Sequence, residues 1–301
     1  MSGSFLSDFL VGSISASIGK TAVAPLERVK LLLQLQHAST QMDPDKHYKG
    51  ITDCFKRVYH EQGFLSFWRG NLANVLRYFP TQAFNFAIKD FLNKHFNKYS
   101  KKENFRKFMF ANILSGGLAG TASLLVGYPL DFIRTRLAVD IGKISQEREF
   151  KSLTDCALKI IKHDGILGLY KGTLISIPIF FIYRGLYFGL YDTYKDSIPE
   201  GRFDVLIKFA LAQSVTIFAG LFVYPLDTVR RRLMMQAGRK DVIYQNTLDC
   251  VKKIYANEGG SKAFFKGALA NLIRSAGGAL ILVFYDSINE TLFGVKKHNK
   301  H

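Results

Sequence analysis

Three times along this 301-residue chain the same phrase returns: PLERVK from Pro25, PLDFIR from Pro129 and PLDTVR from Pro225, each reading Pro-x-acid-x-x-base. The intervals are 104 and 96 residues. A second phrase keeps step with it, as GFLSFWRG ending at Gly70, GILGLYKG ending at Gly172 and GSKAFFKG ending at Gly267. The three cysteines follow the same period, as Asp53-Cys54, Asp155-Cys156 and Asp249-Cys250. Three separate features sharing one period make the chain three modules of roughly 100 residues. We place them at 1–100, 101–199 and 200–301.

Each module holds two long apolar stretches, at 5–36 and 72–97, 108–138 and 174–197, and 204–236 and 268–292. A bilayer core needs about 20 apolar residues in a helix, so the pattern predicts six spanning helices. Between the two stretches of a module lie short amphipathic runs such as ITDCFKRVYHEQG and NTLDCVKKIYANEGG, expected as interfacial helices. Their cysteines are expected to be small half-buried residues, not redox sites. The fold class is therefore all-α and membrane-embedded, with three pseudo-symmetric repeats.

Composition agrees. The mean hydropathy is slightly positive, +0.05, although the chain carries 41 Lys and Arg against 24 Asp and Glu. Apolar segments must then alternate with basic ones. The net charge of +17 calls for an anionic partner: nucleic acid, acidic lipid or a phosphorylated small molecule. A nucleic-acid-binding protein would not place its cations inside apolar helices, so no nucleic acid is expected. A scaffold without transport would have no use for cations that break the repeat. Three cysteines without metal-ligand spacing argue against a disulfide framework or zinc site. No phosphate loop, nucleophile elbow or metal cluster is found, so neither an enzyme nor a cofactor is expected. The N-terminus MSGSFLSDFLVGS reads as neither a secretory signal nor a transit sequence.

The repeated prolines come late in the first helix of each module and should kink it. Beyond each kink, acid and base stand three residues apart on one face, where they could pair with each other. Threefold repetition allows a ring instead: Glu27 to Arg134, Asp131 to Arg230, and Asp227 to Lys30. Such a ring would close one mouth of a central cavity, and pairing would make its charges tolerable in a membrane.

At these residues the sequence resembles the mitochondrial carrier family, over essentially the whole chain. Within that family, RRRLMM at 230–235 is similar to the RRRMMM signature of the ADP/ATP carriers, with Arg230, Arg231, Arg232, Met234 and Met235 matching and Leu233 replacing one methionine. KTAVAPLERVKLLLQ, FWRGNLANVLRYFPTQAFNFA and YPLDFIRTRLAVDIGK match the same subfamily. The resemblance implies six tilted helices about a pseudo-threefold axis and strict ADP/ATP exchange across the mitochondrial inner membrane by alternating access. A carrier of the same fold for another nucleotide, or in another organelle membrane, is the alternative. It further implies a matrix gate made by the ring, to which Gln34 is added. Cardiolipin is implied at Arg69 and Gly70, Lys171 and Gly172, and Lys266 and Gly267. The working unit is expected to be a monomer.

Residues that break the repeat are the ones that can serve an asymmetric ligand. Lys20 lies five residues before Pro25, where the other modules have Leu124 and Gly220. Arg77 and Arg274 lie seven residues beyond their module's glycine, where the second module has Ile179. These cations suit a polyphosphate, and Ile179, Phe180 and Tyr183 offer an apolar and aromatic wall for a base. Arg184 adds a cation on the next position. Lys89 and Arg230 are further nucleotide contacts implied by the resemblance. Ile179-Phe180 is bulkier than the subfamily's usual Gly-aliphatic pair, and Val223 replaces a serine. At the other mouth the motif aromatic-acid-x-x-base is intact only in YDTYK, with Asp192 and Lys195. Asp90 and Asp286 face Asn93 and Asn289 in the corresponding places, so one ionic bridge, Asp90 to Lys195, and a weak cytoplasmic gate are expected.

Overall fold

A computed structural model describes residues 2–96, 105–142, 147–195 and 204–275, and no strand occurs among them. The first module contains α1 (Ser2–Leu35), α2 (Ile51–Gln62) and α3 (Asn71–Phe96). The second contains α4 (Phe105–Val139), α5 (Leu153–Asp164) and α6 (Thr173–Lys195), and the third α7 (Asp204–Met235), α8 (Thr247–Asn257) and the first turns of α9, residues 268–275. A short 3-10 turn precedes the second long helix of each module, at Phe64–Trp68, Ile166–Tyr170 and Gly260–Phe265.

Among the described residues, three segments are by length and composition sufficient to cross a bilayer: Arg106–Val139, Ile166–Lys195 and Ile207–Met235, with mean hydropathies of 1.5, 1.6 and 1.7. Of the other stretches expected to span, α1 and α3 are less uniformly apolar. They have 34 and 26 residues, long enough to span, but are diluted by Asp8, Lys20 and several serines in α1 and by Asn71, Asn74, Arg77 and Lys89 in α3. Burial is inverted relative to a water-soluble protein. Arg28, Asp131, Arg136 and Arg232 are buried, while Leu72, Phe110, Leu174, Phe222 and Leu269 are exposed. Apolar side chains can face outward where the surrounding medium is lipid, and ionic ones then turn to the bundle interior.

Pro25, Pro129 and Pro225 sit within α1, α4 and α7. A proline has no N–H to give the carbonyl four residues back. In α1 that carbonyl belongs to Thr21, and the Trp68 indole Nε1 donates to it at 2.8 Å. The other modules use a different tie. Tyr128 and Tyr224, each just before its proline, donate their hydroxyls to the carbonyls of Lys171 and Lys266, both at 2.9 Å. The first module has Ala24 at that place and relies on Trp68.

One kind of contact, repeated three times, joins the modules. Gly70, Gly172 and Gly267 have φ of +84°, +86° and +82°, a left-handed conformation costly for other residues. Each also lies so close to the next module that a β-carbon would fall 2.8, 2.7 or 2.9 Å from the carbonyl of Arg134, Arg230 or Lys30, respectively. The repeated glycine is thus required twice, for its own turn and for docking. The third contact returns to the first module, so the arrangement is cyclic.

The amphipathic helices lie beneath the long ones. Apolar residues four apart, Cys54 and Val58, Cys156 and Ile160, Cys250 and Ile254, point inward. The cysteines are completely buried, not half-buried as expected, because the acidic residue before each is held at the helix start and fixes the helix rotation. Asp53, Asp155 and Asp249 accept from the N–H groups of Lys49, Lys151 and Gln245, all at 2.9 Å. Burial pushes each thiol up to about 12, so these cysteines remain protonated and unreactive.

Candidate functional site

Past the kinks, α1, α4 and α7 converge, and their repeated charges meet. Glu27 pairs with Arg134, Asp131 with Arg230, and Asp227 with Lys30 at 3.1 Å. The alternative of pairing within one helix coexists with the ring: Arg134 is 3.5 Å from Asp131 and Arg230 is 4.0 Å from Asp227. Gln34, one turn beyond Lys30, donates to Thr228 Oγ1 at 2.9 Å and lies 3.5 Å from Asp227 Oδ2. It braces one pair only, since Ala138 and Met234 hold the equivalent places.

The ring is backed by aromatic faces, again unevenly. Arg230 lies over Tyr128 and Lys30 over Tyr224, each 5.1 Å from the ring centre. Such contacts strengthen when removed from water. Arg134 meets Ala24's module, which has no such ring. There Arg28 takes over: Nε donates to the Ala138 carbonyl at 3.0 Å, Nη2 to Gln62 Oε1 at 2.6 Å and to the Asp140 carbonyl at 3.2 Å, and Nη1 to the Ser66 carbonyl. Sequence reasoning missed Arg28. The signal was available, because the matching places hold Phe132 and Thr228, and the symmetry test that singled out Lys20 applies there equally.

The RRRLMM stretch divides its six side chains among all three modules. Arg231 Nε reaches Asp227 at 3.0 Å and its Nη1 reaches Thr135 of the second module at 3.2 Å. Arg232, fully buried, pairs with Glu258 at 2.7 Å and so ties α7 to the segment after α8. Leu233 packs in the third module's core, Met234 in the second's with Tyr128 and Phe132, and Met235 in the first's with Val29 and Cys54. Sequence reading assigned the stretch to a signature. The structure makes it the place where three cores are stitched together.

Above the ring stand the symmetry-breaking cations. Arg77 Nε is buried, makes no hydrogen bond and lies 3.8 Å from Asp131 Oδ1. Lys20 Nζ sits 4.1 Å over the Tyr78 ring and within electrostatic reach of Arg77, Arg134, Glu27 and Asp131. Arg274 is held by Asn271 Oδ1 at 3.2 Å and lies within reach of Glu27 and Lys30. Three carboxylates, Glu27, Asp131 and Asp227, therefore share one region with seven cations: Lys20, Lys30, Arg77, Arg134, Arg230, Arg231 and Arg274. Inside a bundle such an excess favours an anion that can enter and leave.

On α6, Tyr183, Tyr187 and Tyr191 stack in series, with ring centres 6.3 and 5.5 Å apart. Ile179 is half-buried on the same helix. Phe180 behaves differently from the base-stacking wall expected of it. Its ring lies against Gly120 of α4, where a β-carbon would be 3.2 Å away, and it packs on the core around Leu124 and Tyr128. A neighbouring ring, Phe181, fills the space beside Gly117. Arg184 lies near Gly116 on the same contact. The bulk of Phe180 is thus taken up between helices.

The cations of the second repeated phrase are engaged with protein. Arg69 donates to the carbonyls of Asp140 and Gly142 at 2.6 and 2.7 Å, Lys171 pairs with Asp164 at 2.8 Å, and Lys266 with Glu258 at 3.4 Å. Between modules three and one, Lys266, Gly267, Tyr48, Lys49 and Gly50 line a cavity of about 310 Å³. Lys195 ends α6 with its Nζ 5.5 Å over the Tyr191 ring. The side chains of Lys89, Asp90 and Asp192, and all of Asp286, lie outside the described residues, as does the expected Asp90–Lys195 bridge.

The profile of the mitochondrial carrier protein family matches the chain three times, at residues 2–100, 105–202 and 201–296. Among similar proteins, ADP/ATP translocase 3 of Sus scrofa is 56% identical over 293 residues, covering 96% of this chain and 98% of its own. ADP/ATP translocase 2 of Rattus norvegicus is 57% identical over 291 residues, covering 95% and 97%. ADP/ATP translocase 3 of Homo sapiens is 55% identical over 293 residues, covering 96% and 98%.

Proposed function

Because the chain belongs to the mitochondrial carrier family, we propose that its excess of buried cations over carboxylates serves the exchange of ADP for ATP across the mitochondrial inner membrane. The relatives named as ADP/ATP translocases, matched nearly end to end, support this reading. The observation that carries it is the seven cations around three carboxylates at the convergence of α1, α4 and α7.

In this reading Lys20, Arg77 and Arg274 receive the phosphates, and Ile179 and Tyr183 lie beside the base. Lys89 and Arg230 make further contacts. The ring of Glu27–Arg134, Asp131–Arg230 and Asp227–Lys30, braced by Gln34, is the matrix gate. A phosphate arriving at Arg77 competes with Asp131 for the guanidinium and so loosens the carboxylate that three cations share. Contacts with bound nucleotide offset the cost of opening the ring, which is why an empty carrier would switch poorly and exchange would be strict. At the opposite mouth Asp90, Asp192, Lys195 and Asp286 form a weaker gate. Moving one additional negative charge with ATP than with ADP makes the exchange respond to membrane potential by about 2.3 kcal/mol per 100 mV.

Cardiolipin is the lipid we assign to the turns at Gly70, Gly172 and Gly267, where N–H groups at the starts of α3, α6 and α9 suit a phosphate. The exposed Leu72, Leu174 and Leu269 beside them would meet its acyl chains. The working unit is a monomer, since all three modules lie on one chain.

Purified protein in liposomes, loaded with one nucleotide and offered a panel of others, tests the assignment. Uptake of ADP and ATP that requires internal ADP or ATP is the expected result. Uptake without a counter-nucleotide, or preference for a guanine or pyrimidine nucleotide, would overturn it.

A further inference from the structure

Two residues before the repeated proline, the first and third modules have Val23 and Val223, both buried. The second module has Gly127. Its φ is ordinary, so backbone freedom does not account for the glycine. What does is the neighbouring helix. A β-carbon at Gly127 would stand 2.4 Å from Thr81 Oγ1 and 3.3 Å from Arg77 Cγ, both on α3. The first distance is a collision and the second is tight. The missing side chain leaves a notch in α4 into which α3 fits.

The notch bears on Arg77 in two ways. Its stem lies against the bare backbone, which sets where the guanidinium stands, 3.8 Å from Asp131. Thr81 Oγ1 donates at 2.7 Å to the carbonyl of Arg77 itself, so moving Thr81 would also shift the turn that carries the arginine. By threefold repetition, a valine fills this place where the partners are Ile179 and Arg274. Only the Arg77 contact is relieved.

We propose that Gly127 is a positioning residue for nucleotide recognition, whose absent side chain seats the Arg77 stem and leaves its guanidinium between Asp131 and an incoming phosphate. This rests on the assignment of Arg77 to phosphate binding. A β-carbon at 127 moves Arg77 without removing its charge, so the defect falls first on nucleotide recognition and, through Asp131, on the loosening of the ring that recognition drives.

Exchange kinetics of Gly127→Ala in liposomes test it. KM for ADP rises roughly three- to tenfold with a smaller fall in the maximal rate, since misplacing a binding group weakens recognition first and the loosening of Asp131 only in consequence. Adding Thr81→Ala removes the nearest obstacle, and the double variant recovers most of the wild-type KM. A KM unchanged in Gly127→Ala, with only less folded protein, overturns the inference, and so does a double variant no better than the single one. If Gly127→Ala does not fold but the double variant does, the collision with Thr81 is supported; if neither folds, the notch belongs to the core and the inference falls. Wild-type liposomes separate the two levels. Absence of ADP exchange there sinks the functional reading, whereas wild-type exchange with an unaltered Gly127→Ala sinks this one alone.

Discussion

Arg28 illustrates how one side chain can stand in for a missing symmetry element. Four acceptors converge on it, three of them main-chain carbonyls, of which those of Ser66 and Asp140 also accept from Arg69 while that of Ala138 relies on Arg28. Removing a buried charged donor leaves the Ala138 carbonyl and the Gln62 side chain without it inside the protein, which costs more than the bonds themselves contribute. Arg28→Ala is therefore expected to lower the thermal midpoint in detergent strongly, by an amount corresponding to about 3 kcal/mol, and Arg28→Lys by less. Equal midpoints for the two variants would refute the account. His37, just beyond α1, offers a second residue-level test. Burial, then Lys266 and His47, push its imidazole down to about 3, and Lys266 Nζ lies 2.6 Å from its Nε2. The unfolded chain takes up a proton near the ordinary histidine range while the folded one does not, so stability falls as pH drops below about 6.5. His37→Gln should flatten that decline between pH 7 and 4.5 in a melting series, and an unchanged slope would count against it.

At the scale of the helix, the amphipathic elements α2, α5 and α8 act as fixed plates beneath kinked rods. Each is held by a buried i, i+4 pair, and α5 and α8 add a side-chain cap, with Ser152 and Asn246 accepting from Asp155 and Asp249. Their cysteines are sealed and protonated, so a maleimide at pH 7.5 should label none of the three in folded protein and all three after denaturation. Rapid labelling of the folded carrier would show that these helices open. The pairing of Arg232 with Glu258 anchors α7 to the far end of α8. Glu258→Gln leaves that arginine buried without a counter-charge and also releases Lys266, so it should destabilise the third module more than Glu61→Gln does, whose partner Arg57 is on the surface.

For the molecule as a whole, the ring has unequal links. Asp131 faces Arg230, Arg134 and Arg77; Asp227 faces Lys30, Arg231 and Arg230; among the described residues Glu27 has one close ion pair, with Arg134, while Arg274 and Arg231 act on it from further off and Asn74 donates to it at 3.2 Å. Neutralising a carboxylate that serves three buried cations leaves more uncompensated charge. Asp131→Asn should therefore cost about 3–5 kcal/mol of stability and Glu27→Gln clearly less, with Asp227→Asn near the former. Thermal unfolding of the three purified variants gives the ranking, and Glu27→Gln as the most damaging would contradict the geometry.

Much of this was readable before any coordinates. A shared period in three motifs dictates three modules and allows a ring of Glu27–Arg134, Asp131–Arg230 and Asp227–Lys30, while leaving pairing within each helix open; the tertiary structure holds both. Lys20, Arg77 and Arg274 stood out because they departed from that period. Rotation of each helix about its axis, and the distance between neighbours, are not carried by a period, because they depend on how side chains on two different segments fill one space. Phe180 turned toward Gly120 for that reason, the six residues of RRRLMM went to three separate cores, and Arg28 found four acceptors from two modules. Gly127 belongs with them: in sequence it is one small residue among many, and only the approach of α3 gives its missing side chain a meaning.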